Sequence, residues 1–208
     1  IKMAPLVNHL NLNKDIEHLL CVTGQHKEML EQVLDLFAIK PDFNLDILKR
    51  NQSLSQITGI ITNRVENIIK QEKPDRILVH GDTTTAFAAS VAAFYNRIPV
   101  GHVEAGLRSF NINAPWPEEV NRRYVSIISD MHFAPTENSK ANLLKEGVPI
   151  DNIFVTGNTV IDALHKIRNI IKENPLLTSN FFKNLKMPLE DRKLVLVTAH
   201  RRENFGKD

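Results

Sequence analysis

The sequence has little cysteine, little excess charge and no long apolar segment, and each shortage excludes a class of protein. Cys21 is the only cysteine among 208 residues, which excludes a disulfide framework and a cysteine-based zinc site and favours a reducing, cytoplasmic location. The 26 Lys and Arg residues barely exceed the 24 Asp and Glu residues, so there is no electrostatic basis for binding nucleic acid. No apolar run reaches the roughly 18 residues of a membrane span, and no signal segment is recognisable, so no membrane association is expected.

Several common cofactor and catalytic motifs are also missing from the sequence. Without a G-x-G-x-x-G turn or a G-x-x-x-x-G-K-[ST] loop, nicotinamide, flavin and ATPase-type phosphate sites are unsupported. The zinc motif H-E-x-x-H is absent, and no G-x-S-x-G elbow indicates a serine hydrolase. We therefore expect neither a dinucleotide cofactor nor a structural or hydrolytic zinc ion.

Apolar segments of strand length alternate with segments of helical periodicity along most of the chain. Strands are predicted at 19–22, 76–79, 99–103, 131–134 and 153–155, and helices at 29–37, 54–70, 83–95, 139–146 and 159–172, with one more beginning near Trp116. Continuous apolar strands separated by helices are typical of a parallel sheet covered on both faces. The pattern predicts an α/β fold with a doubly wound, Rossmann-like sheet.

The length allows one large domain or a domain and a half. The apolar pattern weakens over 173–191, which contains two X-Pro pairs and reads as an interdomain connection. We therefore predict one domain over 1–172 and the first strand of a second domain within 192–208. The chain begins inside an amphipathic stretch without a methionine, and both of its ends look like cuts through a longer protein.

Polar residues and glycines follow each predicted strand. These segments are Thr23 to His26, His80 to Thr83, Glu104 to Arg108, Pro135 to Glu137, Thr156 to Thr159 and Thr198 to Glu203. Because parallel strands all end at one edge of a sheet, the segments are expected to line the edge where open α/β folds bind ligands. Glycines there allow close approach and helix N-termini attract anions, so the edge suits a phosphorylated or nucleotide ligand.

Some of these residues also have purely structural interpretations. Asp82 and Thr83 are common N-caps and could simply begin a helix, and Lys2 could be an ordinary surface lysine. Glu104 is less easily explained in this way. A carboxylate at a buried strand end is costly unless it is paired or used, which favours a functional role.

Two charged groups later in the chain have equally simple alternatives. Glu118 and Arg122 have the spacing of an i,i+4 ion pair, and the helix start accounts for the acids at 118 and 119 through the helix dipole. On spacing alone, a structural role is favoured for this pair. The run from His200 to Glu203 could be solvated surface charge, or it could hold a diphosphate.

Eight ordered segments form a recognisable pattern. They read IKMAPL (1–6), QHKEML (25–30), VHGDTTT (79–85), PVGHVEAGLR (99–108), PWPEE (115–119), NR (121–122), TGNTVIDA (156–163) and TAHRREN (198–204). Together they closely resemble the bacterial non-hydrolysing UDP-N-acetylglucosamine 2-epimerases, over essentially the whole chain. The resemblance implies a two-domain fold like that of the glycosyltransferase-B class, which holds the nucleotide sugar between two doubly wound halves.

The resemblance also implies an isomerase that interconverts UDP-N-acetylglucosamine and UDP-N-acetylmannosamine, for bacterial surface polysaccharide precursors, without a metal or nicotinamide. The family route eliminates UDP to give a 2-acetamidoglucal and adds UDP back after the C2 proton is replaced from the other face. The C2–H bond is not acidic, so its proton must leave as the anomeric C–O bond breaks. Carboxylates can move the proton and stabilise positive charge at C1, and cations ease the departure of the diphosphate.

Site residues follow from position in the matching segments. The resemblance implies catalytic roles for Asp82, Glu104, Glu118 and His200, and substrate binding by Lys2, Arg122 and His200. Some members bind a second UDP-N-acetylglucosamine that activates them allosterically, and Gln25 and Glu28 lie at that position. Those members have a Gln-His-Arg-Gln pattern, so Glu28 replaces a Gln here, and Asn51 stands where an Arg is found.

Family members begin with a strand and a Gly-Thr-Arg-Pro-Glu turn ahead of the Ile-Lys-Met segment, and they continue into a second α/β half. Neither is present here, so the first strand of the domain is expected to be missing and the chain alone to have little or no activity. The full-length protein is expected to be a homodimer, as members usually are. Two alternatives stay open: a hydrolysing epimerase that releases N-acetylmannosamine and UDP, and a non-catalytic module that binds a sugar nucleotide.

Overall fold

The computed structural model describes residues 1–24, 27–47, 52–176, 179, 195 and 197. The predicted second-domain strand and most of the predicted connection lie outside these residues. The chain separates into two compact units, Ile1–Thr159 and Val160–Asp208. The first unit contains the sheets.

Helices and strands alternate through the described residues. In chain order they are α1 (Ala4–Leu10), β1 (Cys21–Val22), α2 (Lys27–Leu36), β2 (Phe43–Asn44), α3 (Leu54–Glu72), β3 (Ile77–His80), α4 (Thr84–Tyr95), β4 (Val100–Val103), α5 (Glu118–Ile128), β5 (Met131–Ala134), α6 (Glu137–Lys145), a 3₁₀ turn (Ile150–Asn152), β6 (Ile153–Val155) and α7 (Thr159–Glu173). Every helix and strand predicted within the described residues is present. Helix α1 and the short strand β2 were not predicted.

The larger sheet has four parallel strands in the order β3-β4-β5-β6. Helices α4, α5 and α6 connect its successive strands, and in the register of the sheet Val79 lies beside His102 and His102 beside His132. Strands β1 and β2 form a separate parallel pair. Parallel strands joined by helices confirm the predicted α/β, Rossmann-like fold class.

The main core lies where α3 and α4 pack beside β3 and β4. One stripe of α3 is buried, formed by Ile57, Ile61, Val65 and Ile69, and this stripe has the 3.6-residue period that predicted the helix. Each such side chain contributes about 1.5–3 kcal/mol when it is fully buried. The facing helix α4 is rich in buried alanines, whose small side chains let the two helices approach closely.

Helix starts lie directly after the strand ends, at the edge where the site is expected. The hydroxyl of Thr83 accepts a hydrogen bond from the backbone N–H of Ala86 at 3.2 Å and caps α4, which confirms the N-cap interpretation for Thr83. Thr136 caps α6 in the same way. Pro117 is the N-cap of α5, so Glu118 is its first helical residue.

The helix predicted at 29–37 packs differently at its two ends. Its apolar period puts Met29 and Phe37 on one face, but Met29 is 70% exposed, whereas Phe37 just beyond the helix is 2% exposed. The core contact of this segment is therefore made at the end of α2 and not at its beginning, which periodicity cannot distinguish.

The second unit is described mainly through α7. This helix has the bounds predicted for it to within one residue, and Ala163 is its one buried residue. Across the part of the chain that the structure describes, no helix has both the length and the apolar character needed to cross a bilayer.

Candidate active site

Lys2 and Glu104 meet at the carboxyl end of β4. The ammonium Nζ of Lys2 lies 2.8 Å from Oε1 and 2.6 Å from Oε2 of Glu104. Only 11% of the Glu104 side chain is exposed, compared with 38% of the Lys2 side chain. The pair brings the segment before α1 to the exit of β4, as expected if both residues belong to one site.

His80 approaches the same carboxylate from the end of β3. Its Nε2 lies 3.1 Å from Oε2 of Glu104. Burial raises the pKa of Glu104, but the contacts with His80 and Lys2 outweigh burial and lower this pKa from 4.5 to about 2. Glu104 is therefore ionised at neutral pH, and it can stabilise a positive charge.

The backbone of Glu104 is in the left-handed region, with φ of 64°. This conformation is uncommon for a residue with a side chain. It costs on the order of 1–3 kcal/mol, so it persists only where the surrounding structure holds it in place. Residues held in this way cluster at functional sites. The conformation thus supports the functional interpretation of Glu104 independently of its contacts.

Asp82 and Arg122 form the second ion pair of the site. Arg122 Nη2 lies 2.5 Å from Asp82 Oδ2, and the side-chain amide of Asn121 donates to the backbone oxygen of Asp82 at 3.0 Å. Helix α5 therefore holds the turn after β3 through two successive residues. Since Thr83 caps α4, the carboxylate of Asp82 is not used as an N-cap.

Glu118 does not form the ion pair that its spacing suggested. Arg122 contacts Asp82, and at 3.6 Å also Glu119; within the described ranges, no salt bridge or hydrogen bond engages the half-buried Glu118. The i,i+4 interpretation is therefore wrong for this pair. Residues four apart lie on the same side of a helix, so Glu118 and Arg122 share a face of α5.

Glu119, the next residue, is fully buried. Its carboxylate accepts hydrogen bonds from the backbone N–H groups of Ser109 at 3.0 Å and Phe110 at 3.1 Å. The sequence explained this acid by the helix dipole alone. The structure shows that it also holds the loop after β4.

His102 supports the exit of β3 from the neighbouring strand. It is fully buried, and its Nε2 lies 2.8 Å from the backbone oxygen of Gly81. Because a carbonyl only accepts, the ring donates through Nε2. Burial lowers the pKa of His102 from 6.5 to about 3, so the ring is neutral at physiological pH.

Arg108 anchors the loop that starts at Glu104. Its fully buried side chain donates to Oε1 and Oε2 of Glu146, at 2.9 and 2.7 Å, and to the hydroxyl of Ser126 at 3.0 Å. The loop is thereby attached to α5 and to the end of α6. The sequence does not predict His80, His102, Arg108 or Glu119 as site residues. The only sequence signal is position: the first three lie in or just after the end of a strand, and Glu119 lies in the first turn of α5.

The structure brings together two groups of the predicted residues. Lys2 contacts Glu104, and Asp82 contacts Arg122. The two pairs are connected through the turn after β3, because His80 contacts Glu104 and is followed by Gly81 and Asp82. The predicted residues His200 and Gln25, with Asn51, lie outside the described residues, and Glu28 lies in α2 with its side chain outside them. No cluster of three or more metal-binding side chains occurs among the residues that the structure describes.

Comparison with known proteins identifies the family. The family model described as UDP-N-acetylglucosamine 2-epimerase matches residues 8–208. The UDP-N-acetylglucosamine 2-epimerase of Neisseria meningitidis serogroup A is 51% identical over 211 residues, covering 100% of this chain and 55% of the relative. That of Yersinia pestis is 53% identical over 206 residues, with 99% and 55% covered.

Solved structures agree with the sequence relatives. The crystal structure of the Neisseria meningitidis enzyme bound to UDP-N-acetylglucosamine superposes with a TM-score of 0.93 at 52% identity, covering 99% of this chain and 55% of that one. The chain thus spans about half the length of the curated relatives it matches. Because the family model matches most of the length of the chain, the chain belongs to the UDP-N-acetylglucosamine 2-epimerase family.

Proposed function

We propose that the protein carrying this chain interconverts UDP-N-acetylglucosamine and UDP-N-acetylmannosamine by inversion at C2. The observation that carries this proposal is the ionised carboxylate of Glu104, held between Lys2 and His80 beside the Asp82–Arg122 pair. These groups lie at the carboxyl ends of adjacent parallel strands, where α/β folds bind ligands. The related Neisseria meningitidis enzyme binds UDP-N-acetylglucosamine, which supports the same substrate here.

The chemistry requires groups that move a proton at C2 and groups that stabilise the departing diphosphate. In the elimination, a carboxylate takes the C2 proton, the C–H electrons form the C1–C2 double bond, and UDP leaves C1 with the electrons of the C–O bond. In the return, a proton is delivered to the opposite face of C2 and UDP adds to C1. No net oxidation occurs, so the scheme needs no redox cofactor.

The carboxylates of Asp82, Glu104 and Glu118 are proposed to act on the sugar. Because the pKa of Glu104 is about 2, this group is ionised but only weakly basic, so it suits the stabilisation of positive charge at C1 and not proton transfer at neutral pH. Glu118, which has no charged contact among the described residues, is free to approach a ligand from α5.

Lys2, Arg122 and His200 are proposed to bind the substrate, and His200 also to take part in catalysis. The leaving group is an anion, and charge-assisted hydrogen bonds from Lys2 and Arg122 would stabilise it as the C–O bond breaks. Holding UDP in place also keeps it available for the return step. Gln25 and Glu28 are proposed to belong to a second, allosteric sugar-nucleotide site.

We further propose that the full-length protein is a cytoplasmic homodimer in which residues 1–172 form the N-terminal half and 192–208 begin the other. The coverage of about half of the relatives supports this division, and the single cysteine favours a reducing compartment. On this view the chain alone has little or no turnover. Size-exclusion chromatography with light scattering of the full-length protein tests the dimer.

A chimera tests the activity. The chain replaces the 211 matching residues of the Neisseria meningitidis relative, and the purified chimera is incubated with UDP-N-acetylglucosamine in D₂O and followed by proton NMR. The proposal expects UDP-N-acetylmannosamine with deuterium at C2. Free N-acetylmannosamine would indicate the hydrolysing reaction, and binding without turnover would indicate a sugar-nucleotide binding module; either result contradicts the proposal.

Amide variants identify the carboxylates. Asp82→Asn and Glu104→Gln in the chimera are expected to abolish turnover while UDP binding, measured by calorimetry, is retained. Glu17→Gln, which changes an exposed acid in the segment between α1 and β1, is the matched control and is expected to leave both unchanged. Full turnover in both amide variants would remove these carboxylates from the mechanism.

A further inference from the structure

Glu119 is a buried carboxylate that the helix dipole does not explain. Its side chain has no exposed surface, although an acid in the first turn of a helix benefits from the dipole equally well when it faces water. Burial of a carboxylate is costly unless hydrogen bonds and opposite charge compensate for it. The position of Glu119 therefore calls for a role beyond beginning α5.

The two oxygens of Glu119 bind the loop that leaves β4. Oε2 accepts from the N–H of Ser109 at 3.0 Å, and Oε1 accepts from the N–H of Phe110 at 3.1 Å. These residues follow Glu104 by five and six positions, and Phe110 has a left-handed backbone with φ of 59°. Glu119 thus closes the loop that carries Glu104 onto α5.

The same carboxylate faces Arg122. Oε2 lies 3.6 Å from Nη1 of Arg122, whose Nη2 contacts Asp82 at 2.5 Å. The guanidinium is therefore held between carboxylates from two elements, and its Nε is buried without a hydrogen-bond partner among the described residues. Among the described residues the guanidinium has no third salt bridge, so within that part of the chain its orientation depends on Asp82 and Glu119.

We infer that Glu119 is a positioning residue of the active site, which fixes the guanidinium of Arg122 and the loop after Glu104 without touching the substrate. This role rests on the proposed epimerase function. Displacement of a catalytic group by about 1 Å can lower a rate by roughly a hundredfold, so a residue that sets two such groups is expected to affect turnover strongly.

Glu119→Gln tests the inference because it keeps the shape and removes the charge. Glutamine has one oxygen that accepts hydrogen bonds, where the carboxylate has two. Its other terminal group is NH₂, a donor, which would face a backbone N–H or the guanidinium, and these are donors as well. In the chimera, Glu119→Gln is expected to lower kcat/KM by roughly tenfold to a hundredfold. Glu119→Asp, which keeps the charge on a shorter stem, is expected to recover part of the loss, and Glu17→Gln, at an exposed acid between α1 and β1, is the control.

A double-mutant cycle separates positioning from a general loss of stability. If Glu119 acts partly through Arg122, the loss in the variant that combines Glu119→Gln with Arg122→Lys is smaller than the product of the two single losses. Circular dichroism confirms that each variant is folded. In the chain itself, hydrogen exchange at the amides of Ser109 and Phe110 is expected to be faster in Glu119→Gln than in the wild type.

Two failures are distinguishable. If the wild-type chimera produces no UDP-N-acetylmannosamine, the proposed function is overturned, and the role of Glu119 with it. If the wild-type chimera is active but Glu119→Gln retains its kcat/KM, or if the losses from the two substitutions multiply while exchange at Ser109 and Phe110 is unchanged, the positioning role alone is overturned. If Glu119→Gln does not fold, Glu119→Asp decides: a partial loss of kcat/KM that does not multiply with the Arg122→Lys loss supports positioning, and a loss that multiplies with unchanged exchange contradicts it.

Discussion

The ammonium of Lys2 lies within 2.8 Å of both carboxylate oxygens of Glu104, although 102 residues separate the two along the chain. His80 approaches the same carboxylate at 3.1 Å from the adjacent strand. Burial alone would raise the pKa of Glu104, and these two contacts instead lower it to about 2. The charge state of the central carboxylate thus depends on side chains from two other segments.

Replacing Lys2 by Met is expected to raise the pKa of Glu104. The substitution removes a positive charge and two hydrogen bonds while burial of the carboxylate remains, so the uncharged form becomes more favourable. Carbon-13 NMR titration of the Glu104 carboxyl measures the shift directly. Lys14→Met, at an exposed lysine, is expected to leave the titration unchanged, and an unaltered pKa in Lys2→Met would show that the ion pair is not what holds Glu104 ionised.

Glu104→Gln is expected to destabilise the chain at neutral pH but not in acid. The pKa of Glu104 is lower in the folded state than the ordinary 4.5, so its contribution is complete above pH 4.5 and is lost as the pH falls towards 2. By linkage the contribution is at most about 3 kcal/mol. Urea unfolding at pH 7 and pH 3 measures it, with Glu17→Gln, at an exposed acid outside any helix or strand, as control; a difference from wild type that is equal at both pH values contradicts the cited pKa.

Much of the fold could be predicted from the sequence, and so could the meeting of several candidate site residues at one edge of the sheet. The stripe through Ile57, Ile61 and Val65 has helical period, and a helix with one buried face is the simplest structure that accommodates it. The candidate residues could be grouped because parallel strands end at a common edge. That rule places Asp82 and Glu104 together without any knowledge of side-chain contacts.

The detailed pairing could not be predicted because it depends on which loops meet. Spacing puts Glu118 and Arg122 on one face of α5, but the guanidinium contacts Asp82 from the turn after β3. Similarly, nothing in the sequence distinguishes the buried Glu119 from its half-buried neighbour. The distinction comes from the backbone N–H groups of the 109–110 turn, whose position is set by tertiary packing.

The neutral, buried His102 is expected to make the protein acid-sensitive. Its pKa is about 3 in the folded state compared with 6.5 ordinarily, so below pH 6.5 the unfolded state gains a proton that the folded state does not. The free energy of unfolding then falls by up to about 1.4 kcal/mol per pH unit from this residue.

His102→Gln is expected to make that pH dependence shallower. Gln can donate to the oxygen of Gly81 from a similar position, but it does not titrate. Urea unfolding at pH 7.5 and pH 5 measures the change, and His9→Gln, at an exposed histidine, is the control. The same loss of stability between these pH values in His102→Gln and wild type would show that another group carries the acid sensitivity.

Gly106→Ala is expected to destabilise the chain by about 2–4 kcal/mol. Gly106 has φ of +87°, and a Cβ there would lie 2.2 Å from the backbone oxygen of Ser139. Gly59→Ala is the matched control because no atom lies within 4 Å of its Cβ position in α3; it is expected to stabilise by about 0.5–1 kcal/mol. Urea unfolding compares the two, and effects of equal sign would contradict the close packing of Gly106.

Glu146→Ala is expected to destabilise the chain by about 2–4 kcal/mol, because it leaves the fully buried guanidinium of Arg108 without its carboxylate. Both carboxylate oxygens accept from Arg108, at 2.7 and 2.9 Å. The control is Glu66→Ala, which breaks the exposed i,i+4 pair with Lys70 and is expected to cost about 0.5 kcal/mol or less. Urea unfolding at neutral pH measures both variants. If the two losses were equal, burial would add nothing to the Arg108–Glu146 pair, and Arg108 would not anchor the loop that begins at Glu104.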